Sequence, residues 1–439
     1  MRIIQLTPGA GGMYCGNCFR DNALVAELRR LGHDVLMLPL YLPMRLDEPD
    51  ESRGAPLFYG GINVYLQQLS PVFGRLPRWL HRWLDSEAML RFAGRRAAKT
   101  RASDVGALTL SMLRGEEGRQ QRELAELVAW LKTQPRPDII CLSNAMLAGM
   151  ARTLRRELGA PVAVMLQGED AFLDQLPAAH RETAWKILAE RVGELDVLMA
   201  PSRYYAEEMS RRLGLAPGRV EVVPNGIHLD GWTPADQPPA PPVLGYFARM
   251  CREKGLDRLV DAYLEIRRGG RLPQLKLHVG GGMGPSDEPL VAEQKHRLAA
   301  AGVAADATWR PNLTLAEKQA FYRGLSVLSV PAHYGEAFGL YLVEGMAAGV
   351  PAVQPRTAAY PELVGDAGTG VLCEPDSAAA LAGAIEALLL DEPRRAALAS
   401  AARQAAEERF NAAEMARQFA AALEAATVAA AEGGRLNRR

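Results

Sequence analysis

The chain has 439 residues, and at roughly 150 residues per domain this length predicts two or three domains. Hydrophobic residues make up 48% of the chain and charged residues 23%, values that are typical of a globular protein. Lys and Arg together number 51, as do Asp and Glu, so the formal net charge is zero. Because binding to nucleic acid needs a surplus of cations to displace counterions from phosphates, we predict no nucleic-acid partner.

Cysteine usage and apolar runs indicate the compartment. The five cysteines are odd in number and scattered along the chain, so they do not form the pattern of a disulfide framework. Their usage favours a reducing cytoplasm. The N-terminal apolar stretch is too short for a signal peptide. The longest nearly apolar run, Val35–Met44, is about half of the roughly 20 residues that a spanning helix needs. We therefore predict a cytoplasmic protein without a membrane span.

In the first half of the chain, short β-rich runs alternate with longer amphipathic stretches, the pattern of βαβ units and a parallel sheet. Glycines 9, 11 and 12 follow the first predicted strand, and a helix-period run follows them. Ser202 is predicted to cap the helix after the last of these strands. The predicted strands are Arg2–Thr7, Val35–Leu40, Asp138–Leu142, Val162–Leu166 and Val197–Pro201.

A proline-rich segment, residues 233–242, separates the two halves. Its five prolines lack the N–H groups that a helix or a central strand requires, so it is interpreted as a linker. Beyond it the alternation restarts, and from Ala378 onward the composition predicts mostly helix. The predicted elements are the strands Val243–Ala248, Leu275–Gly280 and Val327–Pro331 and the helix Leu256–Arg267.

These elements predict an α/β fold class with two open Rossmann-like domains and a helical end. The predicted domains are residues 1–232, the linker 233–242, residues 243–410, and a final helix and tail at 411–439. Two such domains facing each other form a cleft. In open parallel sheets ligands sit beyond the carboxyl ends of the strands, so the candidate site residues are those directly after each strand.

The strongest signal is a pair of glutamates, Glu336 and Glu344, eight residues apart in the segment His333–Pro351. On one helix they would be about 12 Å and about 80° apart, so we predict Glu336 in the loop at the helix entrance and Glu344 about two turns down. N–H groups at the helix start favour anions. Glu344 lies among apolar residues, where an unpartnered carboxylate is costly. Spacing alone leaves a functional pair and a solvated surface helix both open.

A second signal follows the strand that begins the second half. Arg249 and Lys254 lie in the loop between this strand and a helix. Two cations beside a helix N-terminus suit a diphosphate, although surface cations flanking a turn are the commoner interpretation of any single pair. The glycine-rich segment at residues 9–12 matches half of a dinucleotide fingerprint at best, and the glycines at 280–282, which also follow a predicted strand, are an equally weak signal alone.

Together these segments resemble the retaining glycosyltransferases of family 4. The resemblance rests on Glu336-x7-Glu344 within GEAFGLYLVEGMAAGVP and on Arg249 and Lys254 within FARMCREKG. The segments VVPNGIHLDGW and APSRYYAEEM are also similar to that family. The resemblance is strongest over residues 195–375. It implies a GT-B fold, in which two Rossmann-like domains face each other across a cleft that holds a nucleotide-sugar and a C-terminal helix crosses back to the first domain.

The resemblance also implies roles for individual residues. Arg249 and Lys254 would neutralise the donor diphosphate in the role that a divalent ion has in other transferases, and Glu336 would contact the donor sugar. Glu344 would accept hydrogen bonds from the ribose hydroxyls. The family is metal-independent, so no metal and no cofactor are expected, and the nucleotide-sugar is a substrate. The remaining donor-binding positions are Gly11, Gly12, Ala337, Phe338, Gly339 and Leu340.

One position departs from the family pattern. Many members place a histidine after the strand predicted at Val162–Leu166, where it contacts the donor sugar, and here Gln167 stands in that place. Glutamine forms hydrogen bonds with hydroxyls but does not titrate near neutral pH. Either the chemistry needs no histidine or catalysis is altered. Glu169 and Asp170 are neighbouring alternatives, one of them predicted as a surface carboxylate.

Three further features have open interpretations. The motif Cys15-Gly-Asn-Cys18 lacks a second CxxC or a close histidine pair, so a structural or acceptor-side role is favoured over redox or zinc chemistry. Residues 73–101 carry eight Arg or Lys against two acids, and this basic amphipathic stretch is either a peripheral contact with the inner membrane face or an acceptor-domain helix. His333, two residues before Gly335, is a candidate for the cleft.

The expected function is retaining, metal-independent transfer of a hexosyl unit from a nucleotide-sugar donor, within carbohydrate biosynthesis. The acceptor is unidentified: a saccharide, a lipid or a small molecule. A non-catalytic nucleotide-sugar-binding protein is the alternative, because Gln167 replaces the family histidine. A GT-B phosphorylase or epimerase is a third hypothesis, and nucleotide dependence or donor conversion without an acceptor would distinguish these two.

Overall fold

The computed structural model describes residues 1–9, 16–42, 44, 46, 48–58 and 102–436. The chain divides into two compact units, which comprise the described residues of Met1–Val223 with Met415–Arg439, and of Pro224–Glu414. The proline-rich segment 233–242 therefore lies inside the second unit, after the division. The predictions for Gly11, Gly12, Cys15 and residues 73–101 fall outside the described residues.

The first unit is built on a parallel sheet of six strands within the described residues, in the order β2-β1-β3-β4-β5-β6. Every residue of β3, β4 and β5 is buried, as expected for a parallel sheet covered on both faces. The predicted strands are confirmed to within about two residues. The strands are β1 (Arg2–Thr7), β2 (Asp34–Pro39), β3 (Ile139–Leu142), β4 (Val162–Met165), β5 (Val197–Ala200) and β6 (Val220–Val222).

Helices cover this sheet and begin where the sequence supplies a cap. The Ser202 side chain accepts a hydrogen bond from the Tyr205 N–H at 3.1 Å, which confirms the predicted N-cap. The helices are α1 (Gly16–Arg30), α2 (Ala102–Arg114), α3 (Gln121–Leu131), α4 (Ala151–Leu158), α5 (Glu169–Leu173), α6 (Ala178–Gly193) and α7 (Arg203–Leu213).

The second unit repeats the architecture with a parallel sheet in the order β9-β8-β7-β10-β11-β12. The chain runs from β7 outward to β9 and then returns to the other side of β7, so the strand order reverses between β7 and β10. The strands are β7 (Val243–Phe247), β8 (Lys276–Gly281), β9 (Ala307–Pro311), β10 (Val327–Leu328), β11 (Ala352–Pro355) and β12 (Gly370–Cys373).

The helices of the second unit pack by the predicted periodicity. Leu256, Leu259, Val260 and Tyr263 are all fully buried, which confirms the apolar helix face inferred from their spacing. The final helix begins in the second unit, and from Met415 onward it belongs to the first. The helices are α8 (Leu256–Gly269), α9 (Glu288–Ala300), α10 (Leu315–Arg323), α11 (Leu340–Ala347), α12 (Ala378–Leu390), α13 (Glu392–Glu408) and α14 (Ala412–Leu436).

Gly281, the last residue of β8, provides a test of this packing. Its φ is +120°, and a Cβ there would lie 1.9 Å from the Ala248 carbonyl oxygen. Gly302 has φ +73°, and no atom lies within 4 Å of the place that a Cβ would take, so Gly302→Ala costs only the left-handed strain of about 1 kcal/mol. We expect Gly281→Ala to lower the free energy of unfolding clearly more than Gly302→Ala, as measured by urea denaturation. Equal losses in the two variants would contradict the close backbone approach.

Candidate functional site

The reversal of strand order between β7 and β10 leaves a crevice at the carboxyl ends of these strands. In open α/β sheets this is where ligands bind, because the connections on the two sides diverge. The loop after β7 contains Arg249 and Lys254, and the loop after β10 contains Glu336. Three of the predicted site residues therefore lie on the two loops that flank the crevice.

Lys254 and Glu336 form an ion pair. The Lys254 ammonium lies 2.5 Å from the Glu336 carboxylate, and both residues are largely buried. Burial alone would lower the pKa of Lys254, but the Glu336 carboxylate and Tyr334 raise it above its ordinary value. The ammonium also lies 5.1 Å from the centroid of the Tyr334 ring, within cation–π distance. Lys254 is thus a fixed cation at neutral pH.

A chain of tyrosine hydroxyls supports Glu336 on its other side. The Tyr341 hydroxyl donates to the Glu336 carboxylate at 3.0 Å and lies 2.8 Å from the Tyr360 hydroxyl. Tyr360 in turn donates to the Val330 carbonyl oxygen at 2.9 Å. Burial raises the pKa of both tyrosines, so they remain neutral donors. Glu336 is therefore held by one cation and one hydroxyl, on a rigid support.

Arg249 does not join the Lys254–Glu336 pair. Its guanidinium donates from Nη2 and Nε to the two oxygens of Asp287, at 2.9 and 3.3 Å, and from Nη2 to the Ser286 hydroxyl at 3.2 Å. Asp287 immediately precedes α9, and its hydrogen bond to Arg249 raises the pKa of the guanidinium. The Arg249 side chain is 58% exposed. The two predicted phosphate cations thus have separate anionic partners.

Glu344 lies nearer the start of its helix than the sequence predicted. The prediction of two turns was wrong, because α11 begins at Leu340, after the N-cap Gly339, rather than near Glu336, so Glu344 is its fifth residue. Its carboxylate is buried, and Lys318 donates to Oε1 at 2.9 Å while the Tyr322 hydroxyl donates to Oε2 at 2.8 Å. The partner that a carboxylate in this apolar setting requires is therefore Lys318.

The predicted backbone contacts, residues 337–340, form the entrance to α11. Gly339 has φ +94° and is the N-cap, and Leu340 is the first helical residue. The Phe338 side chain is buried, with its ring centroid 6.0 Å from that of Phe410. Phe338 and Gly339 therefore have only backbone groups to offer a ligand, and their contact with a donor stays a prediction.

Gln167 lies in the first unit, directly after β4. Its N–H donates at 2.7 Å to Glu169, whose carboxylate also accepts from the Ala145 N–H at 2.8 Å and from the Tyr205 hydroxyl at 2.8 Å. Asp170 accepts from the same hydroxyl at 3.0 Å. The prediction of a surface carboxylate here was wrong, because both acids are buried and are stabilised by these donors.

His333 lines a cavity of about 280 Å³ within the second unit. Its Nε2 lies 2.9 Å from Asp257 on α8, and its N–H donates to the Glu253 carbonyl oxygen at 2.9 Å. Asp261, Glu374 and other acidic residues share the lining. His333 is therefore held between α8 and the loop that carries Lys254.

The sequence did not predict the residues that form ion pairs and hydrogen bonds with Arg249, Glu336 and Glu344. Asp287, Lys318 and Tyr322 belong to no motif, and each lies more than twenty residues from the side chain it contacts. Tyr341 lies within the motif segment, but the spacing of the glutamates did not mark it as a partner of Glu336. The apolar surroundings of Glu344 indicated that a partner was needed but not which residue supplies it.

Within the described ranges, no cluster of three or more His, Cys, Asp or Glu side chains is arranged to hold a metal ion. No described helix is both long and apolar enough to cross a membrane. Metal independence of the reaction and the membrane contact through residues 73–101 stay predictions.

Solved structures identify the fold. The chain is similar to sucrose-phosphate synthase from Thermosynechococcus elongatus, with a TM-score of 0.71 and 20% identity over 98% of this chain and 99% of that one. It is also similar to Anabaena Alr3699/HepE in complex with UDP and glucose, with a TM-score of 0.66 and 17% identity over 97% and 100% of the two chains. Two Rossmann-like domains of the GT-B fold are thereby confirmed.

Sequence comparison identifies the family. The model of glycosyl transferases group 1 matches residues 234–405, and that of the glycosyl transferase 4-like domain matches residues 22–226. The chain belongs to the glycosyltransferases of group 1, the family 4 type, as the motifs predicted.

Individual relatives match over varying lengths. A D-inositol 3-phosphate glycosyltransferase of Xylanimonas cellulosilytica is 32% identical over 53% of this chain and 58% of its own length. The glycogen synthase of Mycobacterium tuberculosis is 27% identical over 70% of this chain and 72% of its own length. The match thus spans little more than half the length of the first of these relatives.

The buried Lys318–Glu344 pair predicts a stability effect. Glu344→Ala removes one partner of a buried ion pair with Lys318, so we expect the free energy of unfolding to fall by about 3–5 kcal/mol. Adding Lys318→Met removes the buried ammonium as well, and the double variant should regain part of that loss in urea denaturation. A double variant whose loss equals the sum of the two single losses would contradict the pairing.

Glu169 predicts a pH effect. Burial raises its pKa above the ordinary value of 4.5, despite the hydrogen bonds it accepts. A carboxyl whose pKa is raised on folding stabilises the fold fully below its unfolded pKa and loses this contribution as pH rises through its folded pKa. We expect the free energy of unfolding of the wild-type protein to fall relative to that of Glu169→Gln as pH rises above about 4.5.

Urea denaturation across this pH range measures the difference. Glu207→Gln, at an exposed position on α7, is the matched control and should follow the wild-type curve. Parallel curves for the wild-type protein and Glu169→Gln would refute the raised pKa.

Proposed function

We propose that the protein transfers a hexosyl unit from a nucleotide-sugar to an acceptor, with retention of anomeric configuration and without a metal ion. The observation that carries this proposal is the Lys254–Glu336 pair on the two loops at the strand-order reversal, with Arg249 on the same loop as Lys254. A fixed cation and a fixed carboxylate side by side suit a ligand that joins an anionic diphosphate to a polyhydroxylated sugar.

The chemistry follows from where charge develops. As the bond between the anomeric carbon and the diphosphate breaks, the carbon becomes cationic and the leaving group gains negative charge. Fixed cations stabilise that charge without reorganising during the reaction. Lys254 meets this requirement, because its pKa is raised and its position is fixed by Glu336. Arg249, held side-on by Asp287, supplies a second cation from the same loop.

Retention is explained by attack of the acceptor on the same face from which the diphosphate leaves. The leaving phosphate oxygen takes the acceptor's hydroxyl proton, so no protein nucleophile is required. Glu336 accepts hydrogen bonds from the sugar hydroxyls, and the Tyr341–Tyr360 chain fixes its carboxylate for that purpose. Glu344 accepts hydrogen bonds from the ribose of the donor.

Related proteins suggest which substrates to test first. Alr3699/HepE has been crystallised with UDP-glucose, which makes UDP-glucose the first donor. D-inositol 3-phosphate glycosyltransferases and glycogen synthase are relatives of this chain. An inositol phosphate and a glucan are therefore the first acceptors to test.

A non-catalytic nucleotide-sugar-binding protein is the second candidate, and Gln167 favours it because glutamine cannot titrate where many family members place a histidine. A turnover assay distinguishes the two candidates. Release of nucleoside diphosphate that depends on an acceptor supports transfer, whereas donor binding without turnover supports the alternative.

Donor binding is tested by a thermal-shift screen across UDP-, GDP- and ADP-glucose. A ligand present at 100 times its Kd stabilises the folded protein by about 2.7 kcal/mol, so we expect one of the three to raise the melting temperature distinctly. If none of them does so at millimolar concentration, the protein does not bind a hexosyl nucleotide and the proposal fails.

The role of Lys254 is tested by Lys254→Ala. Loss of a positioned donor to a developing oxyanion lowers rates by about 10²–10³-fold, so we expect kcat/KM for transfer to fall by that factor. Lys276→Ala is the control. Lys276 is also paired with an acid, Asp306, but it is the first residue of β8 and so lies at the end of the strand away from the crevice. Full activity of Lys254→Ala would contradict the assignment.

A further inference from the structure

Two buried carboxyl groups lie side by side at the start of α5, and the proposed reaction uses neither of them. Glu169 is 2% exposed and Asp170 is 6% exposed. In the described part of the chain, no lysine, arginine or histidine lies within ion-pair distance of either carboxyl. Burying one carboxylate without a counter-charge is costly, and a second like charge beside it raises the cost further. Ionisation of both groups at once is therefore disfavoured.

The Tyr205 hydroxyl connects the two carboxyls. It lies 2.8 Å from Oε2 of Glu169 and 3.0 Å from Oδ1 of Asp170, and Tyr205 is fully buried. The phenol has one proton to donate, so two ionised carboxylates would have to divide that proton between them. A phenol oxygen also accepts hydrogen bonds, so a proton retained by one carboxyl is donated to this oxygen while the phenol donates to the other carboxyl. One additional proton thus completes both hydrogen bonds.

Burial favours the same protonation state. It raises the pKa of Glu169 and that of Asp170, and it raises the pKa of Tyr205 well above its ordinary value, so the phenol remains protonated. Hydrogen bonds from backbone N–H groups lower the pKa of both carboxyls, but by less than burial raises it. Because interacting groups titrate together, the retained proton belongs to the pair rather than to one residue.

The neighbouring charges belong to pairs of their own. The groups that the surrounding elements present are Asp174 at the end of α5, Trp185 on α6, Tyr204, Glu208 and Arg212 on α7, and the Ala145 N–H. The Arg212 guanidinium lowers the pKa of Asp170 by less than burial raises it, because Arg212 is paired with Asp174 and Glu208. Arg212 therefore does not supply the missing counter-charge.

The protonation of the pair acts on the turn that carries Gln167. Oε2 of Glu169 accepts from the Gln167 N–H and Oε1 accepts from the Ala145 N–H, so this carboxyl joins the segments that follow β3 and β4. Gly168, between Gln167 and Glu169, has φ +72°. Loss of the shared proton to solvent adds a second buried negative charge directly beside this turn and removes one hydrogen bond.

We infer that Glu169 and Asp170 share one proton through the Tyr205 hydroxyl at neutral pH and are positioning residues for Gln167, so that transfer weakens in alkaline solution as this proton is lost. The shared proton follows from the geometry of the three side chains. The effect on transfer rests on the proposed function, in which Gln167 stands where many family members place a histidine.

Urea denaturation across pH tests the shared proton. In the wild-type protein one retained proton raises the unfolding equilibrium constant by up to about tenfold per pH unit as pH rises above about 4.5. Glu169→Gln and Asp170→Asn should each remove nearly all of this rise, and the double variant should remove no more. Glu207→Gln, at an exposed position on α7, is the matched control and should follow the wild-type protein.

Two results would overturn the shared proton. One is a pH dependence that neither single variant changes. The other is a pair of single-variant losses that add up to the loss in the double variant, because carboxyls that titrate independently behave additively.

Infrared spectroscopy keeps the test decisive if Glu169→Gln does not fold. Wild-type protein near neutral pH should show the carbonyl band of a protonated carboxylic acid, and Asp170→Asn should lack this band. Wild-type and Asp170→Asn spectra without any difference in this band would contradict the inference.

The pH profile of kcat/KM tests the positioning role. Above the midpoint of the proton loss, kcat/KM of the wild-type protein should fall by up to about tenfold per pH unit, and Asp170→Asn should lose this decline. A purely structural role would lower kcat/KM alike at every pH. Turnover with the same profile in both proteins overturns the positioning role alone. Wild-type protein without turnover overturns the proposed function and the positioning role with it, while denaturation decides the shared proton independently.

Discussion

A buried carboxylate must be matched by a cation or by hydrogen-bond donors, and this constraint organises the second unit. Glu336 and Glu344 are both largely buried, and each is matched by one lysine and one tyrosine hydroxyl. Leaving either charge without its partner would cost several kcal/mol, so the loops and helices that carry the partners are fixed in place. The same requirement that stabilises the fold thereby prepares two oriented carboxylates and a protonated lysine.

The topology determines where these groups lie. The strand order reverses between β7 and β10, and the loops leaving these two strands diverge to opposite faces of the sheet. Lys254 follows one strand and Glu336 follows the other, so an ion pair between them joins the two sides of the crevice. In the first unit, Glu169 has an equivalent structural task, since its carboxylate ties the turn at Gln167 to the start of the segment at Ala145 and to Tyr205.

Sequence patterns predicted the repeated αβ architecture well, because strand and helix periodicities depend on which side chains are buried locally. Strands β1, β4 and β7 and helix α8 agree with their predicted spans to within about two residues. The predictions were poorest where burial depends on distant segments. One of Glu169 and Asp170 was predicted at the surface, but both are buried, and the Tyr205 hydroxyl on α7 donates to both.

The sequence by itself determined the family, the two Rossmann-like domains and the identity of the charged motif residues, because these depend on residue type and short-range spacing. Only the tertiary structure decided how those residues are paired: Lys254 with Glu336, Arg249 with Asp287, and Glu344 with Lys318. The physical reason is that an ion pair forms between side chains that the folded backbone brings within a few ångströms, and the sequence separation of such partners carries no signal of that proximity.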